Sequence, residues 1–128
     1  MTECPFCAKI ARAEIVVENA LAVALNDAYP VNPGHTLIVP RRHVAGFLDM
    51  TQEEQAAVWA LVDPVRRNIE KDHSPDGYNI GVNVGAAAGQ TIPHAHLHII
   101  PRYSGDIEDA RGGIRWVIRS KAPYWKKQ

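Results

Sequence analysis

The chain has 128 residues, 14 basic and 14 acidic side chains, and a formal net charge of zero. That length suits a single domain spanning residues 1–128 with a real hydrophobic core, and the charge balance excludes nucleic-acid binding driven by bulk charge. No apolar run approaches the roughly 18 residues of a membrane span, and "MTECPFC" lacks the basic region and long apolar stretch of a secretory signal, so the expectation is a cytoplasmic protein with no membrane and no nucleic-acid partner.

Cys4 and Cys7 form a CxxC pair. In a reducing compartment a structural disulfide is disfavoured, which leaves redox chemistry or a metal open; no βαβ pattern surrounds the pair. The stretch "EIVVENALAVALND" reads as two short strands turning at Glu18-Asn19. "YPVNPGH" is loop, because Pro30 and Pro33 lack a backbone donor and Gly34 frees φ. "HTLIVP" is a β-branched run ended by Pro40 and reads as a strand.

Thr51-x-x-Glu54 is a capping-box pattern that opens a helix, and Val58, Leu61, Val62, Val65 and Ile69 recur at helical spacing after it. Pro64 inside that pattern predicts a kink or an early stop. "YNIGVNV" reads as a strand and "GAAAGQT" as a small-residue loop. The last strand is "QTIPHAHLHIIPRY", closed by Pro101. The order β-β-β-α-β-β with short turns predicts an α+β domain, a mostly antiparallel sheet with one long helix packed on it.

His94, His96 and His98 occupy every second position of that last strand. They would share one face, neighbours about 7 Å apart, with Ala95, Leu97 and Ile99 pointing into the core. Serine, threonine or lysine would serve a merely solvated face equally well; three imidazoles in phase point to metal binding or to proton and phosphoryl chemistry. His96 is central, and a neutral imidazole is a good nucleophile near neutral pH. Asn83, Gln90 and Thr91 put amide and hydroxyl groups within a few residues of it, and Gly85 and Gly89 permit close backbone approach to a phosphate. No Walker-A lysine follows.

"HAHLHII" fits the motif His-φ-His-φ-His-φ-φ, where φ is apolar, at every position from His94 to Ile100. With "AGQT", "PGHTLIVPRRH" and the C-terminal "GDIEDARGGIRWVI", the chain resembles histidine triad (HIT) proteins of the bacterial diadenosine polyphosphate hydrolase-like branch. The resemblance implies a five-stranded sheet with a long helix, a homodimer, and hydrolysis or transfer at the α-phosphate of a nucleotide without a catalytic metal. It implies that His96 is the nucleophile, forming a nucleotidyl-histidine intermediate. His98 would bind a phosphate oxygen or the leaving-group bridge, and His35 would support the nucleophile. Asn83, Gln90 and Thr91 would contact the phosphate, and Asp27 the ribose. Cleavage of dinucleoside polyphosphates, phosphoramidase action on purine nucleoside phosphoramidates, and non-catalytic nucleotide binding are the functions it leaves open. In members with an N-terminal CxxC it implies a structural zinc held by Cys4, Cys7, His43 and His94. Phe6, Ile10 and Leu25 fit an adenine pocket or plain core. The basic tail after Asp109 packs its aromatics and solvates its charges, or helps attract polyphosphate or completes the partner subunit's site.

Overall fold

A computed structural model describes residues 3–126. Five strands form one antiparallel sheet: β1 (Val17–Glu18), β2 (Ala22–Asn26), β3 (Thr36–Pro40), β4 (Gly77–Val82) and β5 (Leu97–Arg102), in the spatial order β1-β2-β3-β5-β4. The turn between β1 and β2 is closed by Asn19, whose Oδ1 accepts from the backbone N–H groups of Leu21 and Ala22.

The long helix is present and bent. It runs as α2 (Gln52–Ala60) and α3 (Val62–Ile69), joined at Leu61. The capping box is complete: Thr51 Oγ1 accepts from Glu54 N–H at 3.0 Å, and Glu54 Oε1 accepts from Thr51 N–H at 2.9 Å. The bend falls one turn before Pro64, because proline has no N–H for the carbonyl four residues back and its ring crowds that carbonyl. Val58, Leu61, Val65 and Ile69 from these helices pack on Ala22, Ala24, Ile38, Ala95, Leu97 and Ile99 of the sheet and its approach.

The opposite face carries a second, smaller core of Val23, Leu25, Leu37 and Val39, covered by Phe6. Phe6 comes from a helix absent from the order expected from sequence. This helix, α1 (Pro5–Ala11), begins at Pro5, with Cys4 as a cap whose Sγ accepts from Cys7 N–H at 3.4 Å. Phe6 and Leu25 are therefore core, and Ile10 packs partly buried against them.

The histidine segment differs from the expected strand in extent. The ladder starts at Leu97, after His94 and His96, and continues through Pro101 to Arg102. Pro101 pairs with Tyr78 of β4, while the pairing with β3 ends at Ile99, so the proline sits where one side of the strand needs no donor. No helix among the described residues is long and apolar enough to cross a membrane.

Candidate functional site

The alternation expected around the triad holds for the side chains even where the ladder is missing. Ala95, Leu97 and Ile99 join the core beneath the bent helix. The histidines form a chain of rings on the other face: His43 to His94 at 5.0 Å between centroids, His96 to His98 at 5.1 Å, and His98 to His35 at 5.2 Å. Phe6 packs edge-on between His94 and His96, at 5.7 and 5.1 Å.

Hydrogen bonds fix the ring tautomers along this row. The backbone N–H of Val31 donates to His35 Nδ1 at 3.0 Å, so the proton of His35 sits on Nε2. That N–H faces His98 Nδ1 at 3.0 Å and Asp27 Oδ2 at 3.3 Å. His98 accepts on Nδ1, and its own proton is therefore on Nε2. Asp27 is held in turn by Tyr29 N–H, which donates to Oδ1 at 2.8 Å. Asp27, His35 and His98 also lie close enough to one another to suggest a metal, but the His35 Nε2 proton leaves that nitrogen without a lone pair. His96 donates from Nδ1 to the carbonyl of His94 at 2.8 Å. Its Nε2 keeps a lone pair, has no hydrogen-bond partner among the described residues, and stays open to the surface although the residue is only 7% exposed. Burial pushes His98 down to about 4 and lowers His35 as well, so both are neutral at pH 7.

Asn83 is half-buried and Thr91 exposed at the end of the loop before the triad. Gly85 and Gly89 of that loop take φ values of +89° and +97°, which side chains rarely adopt. Gln90 is committed to the loop. Its Oε1 accepts from Gly85 N–H at 2.9 Å, and its Nε2 donates to the carbonyls of Ala45 and Ile92 at 2.7 and 2.9 Å.

Cys4, Cys7, His43 and His94 converge at the other end of the row. His94 Nδ1 lies 3.3 Å from Cys4 Sγ, 3.6 Å from Cys7 Sγ and 3.2 Å from His43 Nδ1, and Cys7 Sγ is 3.4 Å from His43 Nδ1. A tetrahedral zinc with two thiolates and two imidazoles has ligand-to-ligand edges of about 3.3–3.8 Å. The donor set fits that size and chemistry. His94 Nε2 donates to the carbonyl of Pro40 at 2.9 Å, which leaves the Nδ1 lone pair aimed at the cysteines. Burial lowers the His94 pKa, keeping the ring neutral as a ligand must be. His43 is carried by a loop pinned to the helix start, where Arg42 donates from Nε and an NH2 group to the two Glu54 oxygens at 2.9 and 2.8 Å.

Residues 9–105 match the HIT domain family. The chain belongs to the HIT family. Among HIT relatives, it is 36% identical over 100 residues to the bifunctional bis(5'-adenosyl)-triphosphatase/adenylylsulfatase FHIT of Arabidopsis thaliana, covering 78% of this chain and 56% of that protein. It is 37% identical over 97 residues to the asymmetrical bis(5'-nucleosyl)-tetraphosphatase of Schizosaccharomyces pombe, covering 76% and 53%. It thus spans about half the length of these curated relatives. The zinc-bound histidine triad family protein of Mycobacterium smegmatis superposes with a TM-score of 0.73 at 33% identity, covering 81% of this chain and 78% of that one.

Proposed function

We propose that this HIT protein is a nucleotide hydrolase or transferase that acts at the α-phosphate through a nucleotidyl adduct on His96, with dinucleoside polyphosphates as substrates. The observation that carries the reading is the free Nε2 of His96 opposite an Nδ1–H held by the His94 carbonyl. An anionic attacker would be repelled by a phosphate; a neutral imidazole is not. As the P–N bond forms, the bond from phosphorus to the leaving oxygen breaks and that oxygen keeps the electron pair. The ring becomes cationic, and the His94 carbonyl dipole stabilises it. Water then displaces the nucleotide and restores the imidazole.

The other histidines support this step. His98, neutral and with Nε2–H outward, donates to a phosphate oxygen or to the bridge. His35 holds His98 in that tautomer. Asp27 orients His35 and offers its partly exposed carboxylate to the ribose. Asn83 and Thr91 have no side-chain hydrogen bond to another described residue and are available to the phosphate. Gln90 shapes their loop and would reach the phosphate by exchanging one of its present bonds.

Cys4, Cys7, His43 and His94 would hold a structural zinc. When bound, it cross-links α1 to the sheet and supplies no chemistry at the phosphorus. The names of the two curated relatives support the polyphosphate substrate class. A homodimer is part of the same reading: β4 is an edge strand, and Ile80 and Val84 on and beside it are exposed.

The test is turnover of diadenosine tetraphosphate and of an adenosine 5'-phosphoramidate by wild type and His96→Ala. Wild type is expected to cleave the first, and His96→Ala to lose at least about a thousandfold in rate. Equal rates for the two proteins would refute the nucleophile.

A further inference from the structure

A cleft of about 650 Å³ opens beside His98, within the size range of small-molecule sites, about 300–1,000 Å³. Its floor is β4. Gly81 sits there directly opposite His98 in the β4–β5 ladder, so no side chain rises between the triad and the space above it. A glycine inside a strand weakens it and marks a place where another group comes close. The roof is the tail: Ile114, Val117 and Ile118 line the cleft and are 65, 75 and 58% exposed, an apolar wall that comes down over Gly81 at Ile114 Cδ1.

His98, His35 and Asn83 line the cleft with Asn79, which lies further along β4 opposite Ile100 and accepts from Arg102 through Oδ1, and the remainder is largely apolar. The tail that supplies the roof also carries Arg111, Arg115, Arg119 and Lys121, none of which lines the cleft, and no acidic residue follows Asp109. Arg111 pairs with Asp109, and Arg115 donates to the carbonyls of Lys121 and Ala122. A ligand matched to this arrangement has an anionic part near the histidines and an uncharged, apolar ring further in. Asp27, proposed above for the ribose of the retained nucleotide, does not line the cleft.

We propose that this cleft binds the base of the departing nucleoside polyphosphate, and that Gly81 with the tail wall thereby favours dinucleoside polyphosphates over adenylates with small leaving groups. The proposal rests on His96 catalysis and adds no chemical step to it. The leaving oxygen departs with its electron pair as part of a nucleoside polyphosphate whose base is held until release. The uncharged wall suits a purine ring, while the tail cations lower the cost of the extra phosphates.

Gly81→Leu is the direct test. A Cβ at this position would meet only Ile114 Cδ1, at 3.5 Å, an ordinary contact, so the backbone accepts a side chain that then fills the cleft. KM for diadenosine tetraphosphate is expected to rise about tenfold, while kcat/KM for adenosine 5'-phosphoramidate, whose leaving group is ammonia, stays within about twofold. Equal losses on both substrates, or none on either, would overturn the proposal. A second variant, Val117→Ala with Ile118→Ala, alters only exposed tail positions and should raise KM for the dinucleotide alone; an unchanged KM counts against the site.

Binding is read separately by methyl NMR with ATP as the probe. Shifts at Ile114 and Ile118 that vanish in Gly81→Leu are expected, and their absence in wild type overturns the site whether or not the protein turns over. Failure of wild type to cleave either substrate would instead overturn the catalytic reading.

Discussion

At the residue scale, one backbone N–H sets the chemistry of the row. Val31 N–H on His35 Nδ1 fixes the proton on Nε2, that proton fixes His98, and the His94 carbonyl fixes His96. His35→Gln should therefore lower kcat for diadenosine tetraphosphate by about 10- to 100-fold with little change in KM; a change confined to KM would place His35 in substrate binding instead. The row also sets a pH dependence. His98 and His35 are lowered by burial, His98 to about 4, whereas both would take protons near 6.5 in the unfolded chain. Between those pH values the unfolded state binds more protons, so the two histidines' contribution to stability falls as pH falls from about 6.5 to about 4 and is constant below, where the lowered carboxyls such as Glu54 take over the acid dependence. The urea midpoint should follow that curve, and His98→Asn should flatten it; an equally steep curve in the variant would show that other groups carry the dependence. The spacing of His94, His96 and His98 made their shared face legible in sequence. The tautomers were not legible, because they depend on Val31 and on a carbonyl whose positions only the folded loops define.

At the element scale, the capping box is also an anchor. Glu54 closes the start of α2 and takes both Arg42 donors, and the Arg42 bonds with the Thr51 N–H hold its carboxyl down to about 2. Glu54→Ala should cost about 1–3 kcal/mol of stability in denaturant unfolding. Because His43 follows Arg42, the same change should weaken metal retention. A stability loss within a few tenths of a kcal/mol would contradict this linkage. The box and the proline bend were both readable, since each is a local rule. The helix α1 was not: seven residues give little periodicity, and cysteine is an unusual cap, although Pro5 in its first turn was an available signal. The late start of β5 has a similar cause. Continuing its register beyond Ile38 and Leu97 would set Ala95 against Pro40, but Ala95 N–H donates to Val44 and the Pro40 carbonyl takes the His94 ring. Alternation in sequence reports which way side chains point and is silent on whether a neighbouring strand is there to pair.

At the scale of the whole molecule, two polar centres occupy opposite ends of one sheet face, and α1 joins them. The cysteines hold the helix by His94, and its Phe6 packs against both His94 and His96. Chelation, or Cys4→Ser, should release the metal and lower the unfolding temperature by several degrees, about 1–2 kcal/mol on the scale of a domain this size. Metal analysis of purified, unchelated protein checks this directly, and protein that contains no zinc, or whose unfolding temperature ignores chelator, would contradict it. The central claim concerns His96 itself. Rapid quenching during turnover of diadenosine tetraphosphate, followed by proteolysis at a pH that preserves phosphoramidates and by mass spectrometry, should find AMP mass on the peptide carrying His96 and none on it in His96→Ala. An adduct on another side chain, or steady turnover by His96→Ala, would contradict it.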